Sequence, residues 1–86
     1  MPEVSRFYGI IIRIYFADHN PPHFHALYGD EMVEIDIQRM SVLAGGIAPR
    51  ALGMVFEWAT IHREELLARF IQAQQNQPIT KIDPLP

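Results

Sequence analysis

His23-Phe24-His25-Ala26-Leu27-Tyr28-Gly29-Asp30-Glu31-Met32-Val33-Glu34-Ile35-Asp36-Ile37 is the stretch that decides the architecture of this chain. On both sides of Gly29-Asp30 apolar and polar residues alternate, and Gly at the first central position suits a type II′ turn. The stretch therefore reads as two antiparallel strands joined by a two-residue loop. Such a loop fixes the register: Tyr28 faces Glu31, then Leu27–Met32, Ala26–Val33, His25–Glu34, Phe24–Ile35 and His23–Asp36. With a side-chain period of two, Phe24, Ala26, Val33 and Ile35 share one face, and His23, His25, Glu34 and Asp36 share the other. A slip of one residue would turn the apolar set outward, so this register is the favoured one.

Upstream, Ser5 to Phe16 is rich in β-branched and aromatic residues and reads as one long strand. Its buried face is expected to carry Tyr8, Ile10, Ile12, Ile14 and Phe16, with Arg13 and Tyr15 opposite. Ala17-Asp18-His19-Asn20-Pro21-Pro22 then forms a turn or extended loop. Downstream, Ser41-Val42-Leu43 offers a short fourth strand before Gly45-Gly46. Pro49 is suited to open a helix that runs to about Gln74. On that helix Leu52, Val55, Phe56, Ala59, Leu66 and Phe70 form the arc facing the sheet. Met54, Trp58 and Ile61 are left over, to be covered by another chain or by the tail from Ile79 to Leu85. The fold class is thus α+β: a single domain over 1–86, with a small antiparallel sheet of three or four strands against one long helix, in the order βββ(β)α.

The 86 residues suffice for one modest core. A formal net charge of −3 excludes a basic field over the whole surface. Six of the seven basic residues are Arg, suited to bidentate contacts. There is no Cys, hence no disulfide framework and no thiolate site. No signal peptide or apolar span is visible, and the expected location is the cytoplasm, with no membrane association.

Three readings compete for the histidines. In the first, His23 and His25 point the same way along a strand and hold a divalent metal, zinc being the natural choice. Glu34 and Asp36 supply oxygens, and His19 or His62 a third nitrogen. In the second, His23 and His25 act as acid and base on RNA, and Arg13 stabilises the phosphorane charge. Glu34 and Asp36 count against this, because they would raise the histidine pKa values and repel phosphate. In the third, each histidine simply meets a carboxylate across the strands. Further candidate binding residues are His19 and Asn20, carried on a loop stiffened by Pro21-Pro22. Arg50 is another, since its place in the first helical turn runs against the dipole and asks for a partner. His62 and Trp58 complete the set, although packing explains both.

Asp18-His19-Asn20-Pro21-Pro22-His23-Phe24-His25 followed by Tyr28-Gly29 resembles the signature of the bacterial domain-of-unknown-function family 4160. So do the opening Pro2–Ile10, then Arg50, Trp58, His62, Glu65-Leu66 and the closing Lys81-Ile82-Asp83-Pro84-Leu85. Ala44-Gly45-Gly46-Ile47-Ala48-Pro49 is less polar than the corresponding stretch of the family. The resemblance implies a small bacterial protein whose gene lies beside that of a short protein of domain-of-unknown-function family 2442. That arrangement is similar to a toxin–antitoxin pair. A compact domain with a His-rich polar face suits an effector better than a flexible neutraliser, so the expected role is the toxin-like one, through protein–protein contact with RNA as a further option; the surplus apolar helix face leaves a homodimer open. Whether the chain is an enzyme stays open, a ribonuclease and a metal-dependent hydrolase being the candidates beside a plain interaction module with structural histidines.

Overall fold

The computed structural model describes residues 2–86. Five antiparallel strands form a meander, β1 (Glu3–Phe7), β2 (Ile10–Arg13), β3 (His23–Tyr28), β4 (Glu31–Asp36) and β5 (Ser41–Gly46), neighbouring in that order. Two helices follow, α1 (Pro49–Ile61) and α2 (Arg63–Gln74). The class is α+β as expected, with more pieces than the sequence reading gave.

The β3–β4 register is the one derived from the Gly29-Asp30 loop, pair for pair from Tyr28↔Glu31 to His23↔Asp36. Gly29 takes φ +60°, the left-handed conformation demanded of that position. Phe24, Ala26, Val33 and Ile35 are fully buried, and Ile10, Ile12 and Val4 join them beneath the helices.

The expected long strand from Ser5 to Phe16 is instead a hairpin. Tyr8 (φ +49°) and Gly9 (φ +79°) turn the chain, so that Phe7 pairs with Ile10. Both central residues have positive φ, which matches a type I′ turn. Tyr-Gly lacks the Asn or Asp that usually announces it. Tyr8 and Phe16 consequently leave the core and are 60% and 47% exposed, while Ile10, Ile12 and Ile14 stay buried. Likewise β5 runs through Gly45-Gly46 rather than stopping before them. A bulge opposite Glu34 and Ile35 carries it past Leu43.

The single long helix is two, meeting at His62 (φ −107°, ψ 23°). No Pro or Gly marks this junction. The buried stripe is Ala51, Val55, Trp58 and Ala59 on α1, then Leu66, Phe70 and Ala73 on α2. It is rotated from the expected arc, so Leu52 and Phe56 sit half-buried at its flank and Trp58 at its centre. Trp58 is wedged between Phe7 and Phe24, at ring separations of 5.3 and 6.0 Å. Its indole N–H donates to the Asp83 carbonyl at 2.8 Å. The tail therefore covers this side of the helix. It is held there by Ile82 N–H donating to the Val4 carbonyl and by Arg69 donating to the Thr80 carbonyl. Ile61 alone of the three leftover residues is strongly exposed, at 65%.

Two outcomes follow from this packing. Gly45 has φ +71°, and a Cβ there would lie 2.3 Å from the Met32 carbonyl oxygen, whereas one on Gly46 would meet nothing within 4 Å. Gly45→Ala should cost about 1–3 kcal/mol in urea unfolding, and Gly46→Ala much less. Removing residues 79–86 should red-shift Trp58 emission, open it to quenching and promote self-association. Unchanged emission would mean that the tail is not what shields the indole.

Candidate functional site

The face of the β3–β4 hairpin opposite its apolar set carries a second cluster, which the C-terminal half of α2 reaches at His23. At its centre stand His23 and His25, two residues apart on β3 and both largely buried. Arg13 on β2 is directly opposite His25, and Glu34 on β4 flanks His25 from the other side. Above them runs the loop from Phe16 to Pro22. It is tied to the end of α2 by Ala17 N–H donating to the Ala73 carbonyl at 3.0 Å. The Gln74 amide also donates to the Asp18 carbonyl and to Asn20 Oδ1, at 3.4 and 3.2 Å. This anchoring brings Asp18 down onto the histidines.

His23 Nδ1 lies 2.7 Å from the Pro21 carbonyl. A carbonyl only accepts, so Nδ1 carries the hydrogen and Nε2 is the nitrogen presented to the cluster. Nε2 is 2.9 Å from Asp18 Oδ2 and 3.6 Å from Glu34 Oε1. Phe70 packs against the same ring at 5.5 Å. His25 Nε2 is 3.2 Å from Glu34 Oε1, and the Tyr15 ring stands edge-on to His25 at 4.5 Å. His25 Nδ1 is buried without a partner, so packing rather than a second hydrogen bond holds this imidazole. Donor atoms of Asp18, His23 and His25 all lie within 4.8 Å of one another.

Several sequence expectations change here. Asp36 does not join the cluster: its Oδ1 accepts from the backbone N–H groups of Gln38 and Arg39, both at 2.9 Å. It is a turn-capping carboxylate, preferring the local donors of the β4–β5 connection. Asp18 takes its place, from a loop whose position strand parity cannot specify. The expectation that neighbouring carboxylates raise the histidine pKa values fails at His25. Burial pushes this imidazole below its ordinary value of 6.5, against the opposing pull of Glu34. His62 lies at the helix junction, paired with Glu65 and packed against Trp58 at 5.5 Å, and adds no nitrogen to the site. Trp58 belongs to the core. Arg50 is exposed in the first turn of α1, with no side-chain hydrogen bond or ion pair among the described residues. His19 is at the rim, its side chain 89% exposed and its Nδ1 3.2 Å from Asp18 Oδ1. Asn20 holds the loop through Gln74. Tyr15 was legible as a neighbour, since it shares the strand parity of Arg13.

A cleft of about 300 Å³ lies elsewhere, between β1 and the tail, lined by Glu3, Ser5, Arg6, Lys81 and Ile82. Glu3 fills its charge balance, accepting from Arg6 at 2.7 Å and lying 3.8 Å from Lys81.

A family model described as a domain of unknown function (DUF4160) matches residues 9–70, which takes in the cluster, the hairpin and most of both helices. The chain belongs to this family. No curated protein and no solved structure matches the chain. The family match fixes kinship alone. Among the described residues no helix is long and apolar enough to cross a membrane.

Because the His25 imidazole is held below 6.5, the folded state prefers it neutral. That contribution is complete above about pH 6.5 and is lost as pH falls toward the lowered value, since the unfolded chain takes up the proton first. Metal-free protein should therefore lose urea stability as pH falls below about 6.5, and His25→Gln should lose less over the same range. Equal losses in the two proteins would remove His25 burial as the cause.

Proposed function

We propose that this domain binds a divalent metal ion, zinc by preference, through Asp18, His23 and His25, and that its activity is hydrolytic. The observation that carries the reading is the convergence of three donor atoms within 4.8 Å on one partly buried spot. Tetrahedral zinc with bonds of about 2.0–2.1 Å wants its donors roughly 3.3 Å apart. His23 Nε2 and Asp18 Oδ2 are 2.9 Å apart and every pair in the set lies within 4.8 Å, so the donors reach that spacing by side-chain movement. The Nδ1–H of His23 donating to Pro21 is the kind of outer hydrogen bond that fixes the tautomer of a metal-binding histidine. Two imidazoles and a carboxylate without thiolate suit zinc, and also iron(II) or manganese, over calcium.

Three protein ligands leave a position for water. A bound zinc would supply a water acidified toward neutrality and a Lewis acid for a carbonyl or phosphoryl oxygen. Glu34 lies outside the three-donor set yet within 3.2–3.6 Å of both histidines. It is half-buried and placed to accept a proton from a group at the cluster.

A second reading, favoured by the sheet edge, concerns a partner. β5 is exposed along its whole length; its own Val42 and Leu43 and the neighbouring Met32 of β4 are 42–45% exposed. Such an edge can add a strand from another chain. This supports a toxin-like component of a two-gene, toxin–antitoxin-type module in the bacterial cytoplasm. Its partner would be a neighbouring-gene protein resembling domain-of-unknown-function family 2442, or a second copy, and RNA is the substrate that such a role suggests. Co-expression with the neighbouring gene product and recovery of a complex lost on Val42→Lys would support it; recovery of each protein alone would remove it.

For the metal reading, dialysed protein should retain near-stoichiometric zinc in elemental analysis. Zinc in about hundredfold excess over its Kd should stabilise the fold by about 2.7 kcal/mol, and EDTA should reverse this. Asp18→Asn, His23→Ala and His25→Ala should each abolish the response, with Asp36→Asn and His62→Ala retaining it. A melting temperature unmoved by zinc or EDTA, with no metal bound, would leave the histidines a packing role alone.

A further inference from the structure

We infer that the ligand of this site is a phosphoryl group, one oxygen of which occupies the open metal position while Arg13 holds another; the inference rests on the metal reading above. Arg13 is the residue directly across from His25 in the β2–β3 ladder, so the two side chains leave the sheet on the same face. It is half-buried, and no side-chain hydrogen bond or ion pair engages it among the described residues. The arginines whose guanidinium groups are engaged offer a contrast: Arg6 is bound by Glu3, and Arg69 donates to the Thr80 carbonyl. Glu3 pairs with Arg13 in the β1–β2 ladder, but its carboxylate is committed to both Nε and a terminal nitrogen of Arg6. Arg13 thus springs from the position across from His25 and makes no hydrogen bond or ion pair among the described residues, although it is near enough to Glu3 to help Arg6 lower that carboxyl's pKa.

The charges around it admit an anion. Asp36 withdraws into its own backbone turn, but Asp18 replaces it, so Asp18 and Glu34 both border the site. A divalent ion and Arg13 against these two carboxylates still leave one net positive charge. A metal position beside a forked guanidinium suits a phosphoryl group, which offers separate oxygens to both. Glu34, on the other flank of His25, stays on the side away from Arg13. Tyr15 packs edge-on against His25. The site so assembled has a cation at one end, a metal position at its centre and a carboxylate base at the other end.

Cobalt(II)-loaded protein offers a direct test, because its visible spectrum reports the ligands on the metal. The metal reading is checked first by the cobalt spectrum and its loss in His23→Ala. Inorganic phosphate should then perturb that spectrum saturably. Arg13→Gln should load cobalt normally but bind phosphate about tenfold or more weakly, as expected for loss of a charge-assisted contact. Arg13→Lys should fall between the two. Acetate should bind wild-type protein much more weakly than phosphate. Phosphate binding unaffected by Arg13→Gln, acetate binding equal to phosphate, or a loaded protein that ignores phosphate would each overturn the inference without touching the metal reading. A protein that takes up no metal would overturn both.

Discussion

Everything in this molecule depends on the alternation of side chains across one hairpin in one register. Phe24, Ala26, Val33 and Ile35 can enter the core only if Gly29-Asp30 closes the loop in two residues. The same alternation forces His23, His25 and Glu34 to the opposite face. The core is worth far more than the polar cluster, at about 1.5–3 kcal/mol per large apolar side chain buried. Packing of the apolar set therefore selects the register, and the histidines inherit their juxtaposition from it. Their closeness is imposed by the core rather than by their own attraction.

That origin explains why part of the site could be read directly and part could not. His23, His25, Glu34 and Arg13 lie on paired strands, where parity and loop length locate a residue to within one neighbour. Asp18 sits on a loop placed by α2, through Ala73 and Gln74, more than fifty residues away in sequence. No local pattern reports that contact. Asp36 misled for the converse reason: parity gave its face correctly, but a short carboxylate at a strand end finds backbone donors nearer than any distant partner. At the level of the fold, the class and the central hairpin were legible. The Tyr8-Gly9 turn was not, because the apolar periodicity of Phe7 to Ile14 passes through it with little interruption. Nor was the helix junction at His62, which lacks Pro and Gly.

The polar face also shows how an energetic liability is managed. Two buried imidazoles and a carboxylate near them are costly to desolvate. The structure offsets the cost unevenly. His23 donates from Nδ1 to Pro21 and has Asp18 Oδ2 2.9 Å from Nε2, whereas His25 leaves Nδ1 unpartnered and is held toward the neutral form by burial. Apolar residues at both positions would avoid that cost, so burial of the pair is not something the core requires.

The tail that seals Trp58 has a bearing on the life of the chain during its synthesis. The sheet is a meander of neighbouring strands, with contacts short in sequence, and such elements assemble early. The indole cannot complete its hydrogen bond until Asp83 has arrived, and Val4 likewise waits for Ile82. On the ribosome the nascent domain thus holds a formed sheet and an unsealed aromatic centre until the residues from Ile79 onward have emerged. A truncated translation product would carry that exposed indole permanently, and would be marked for quality control by the chaperones and proteases that recognise apolar surface.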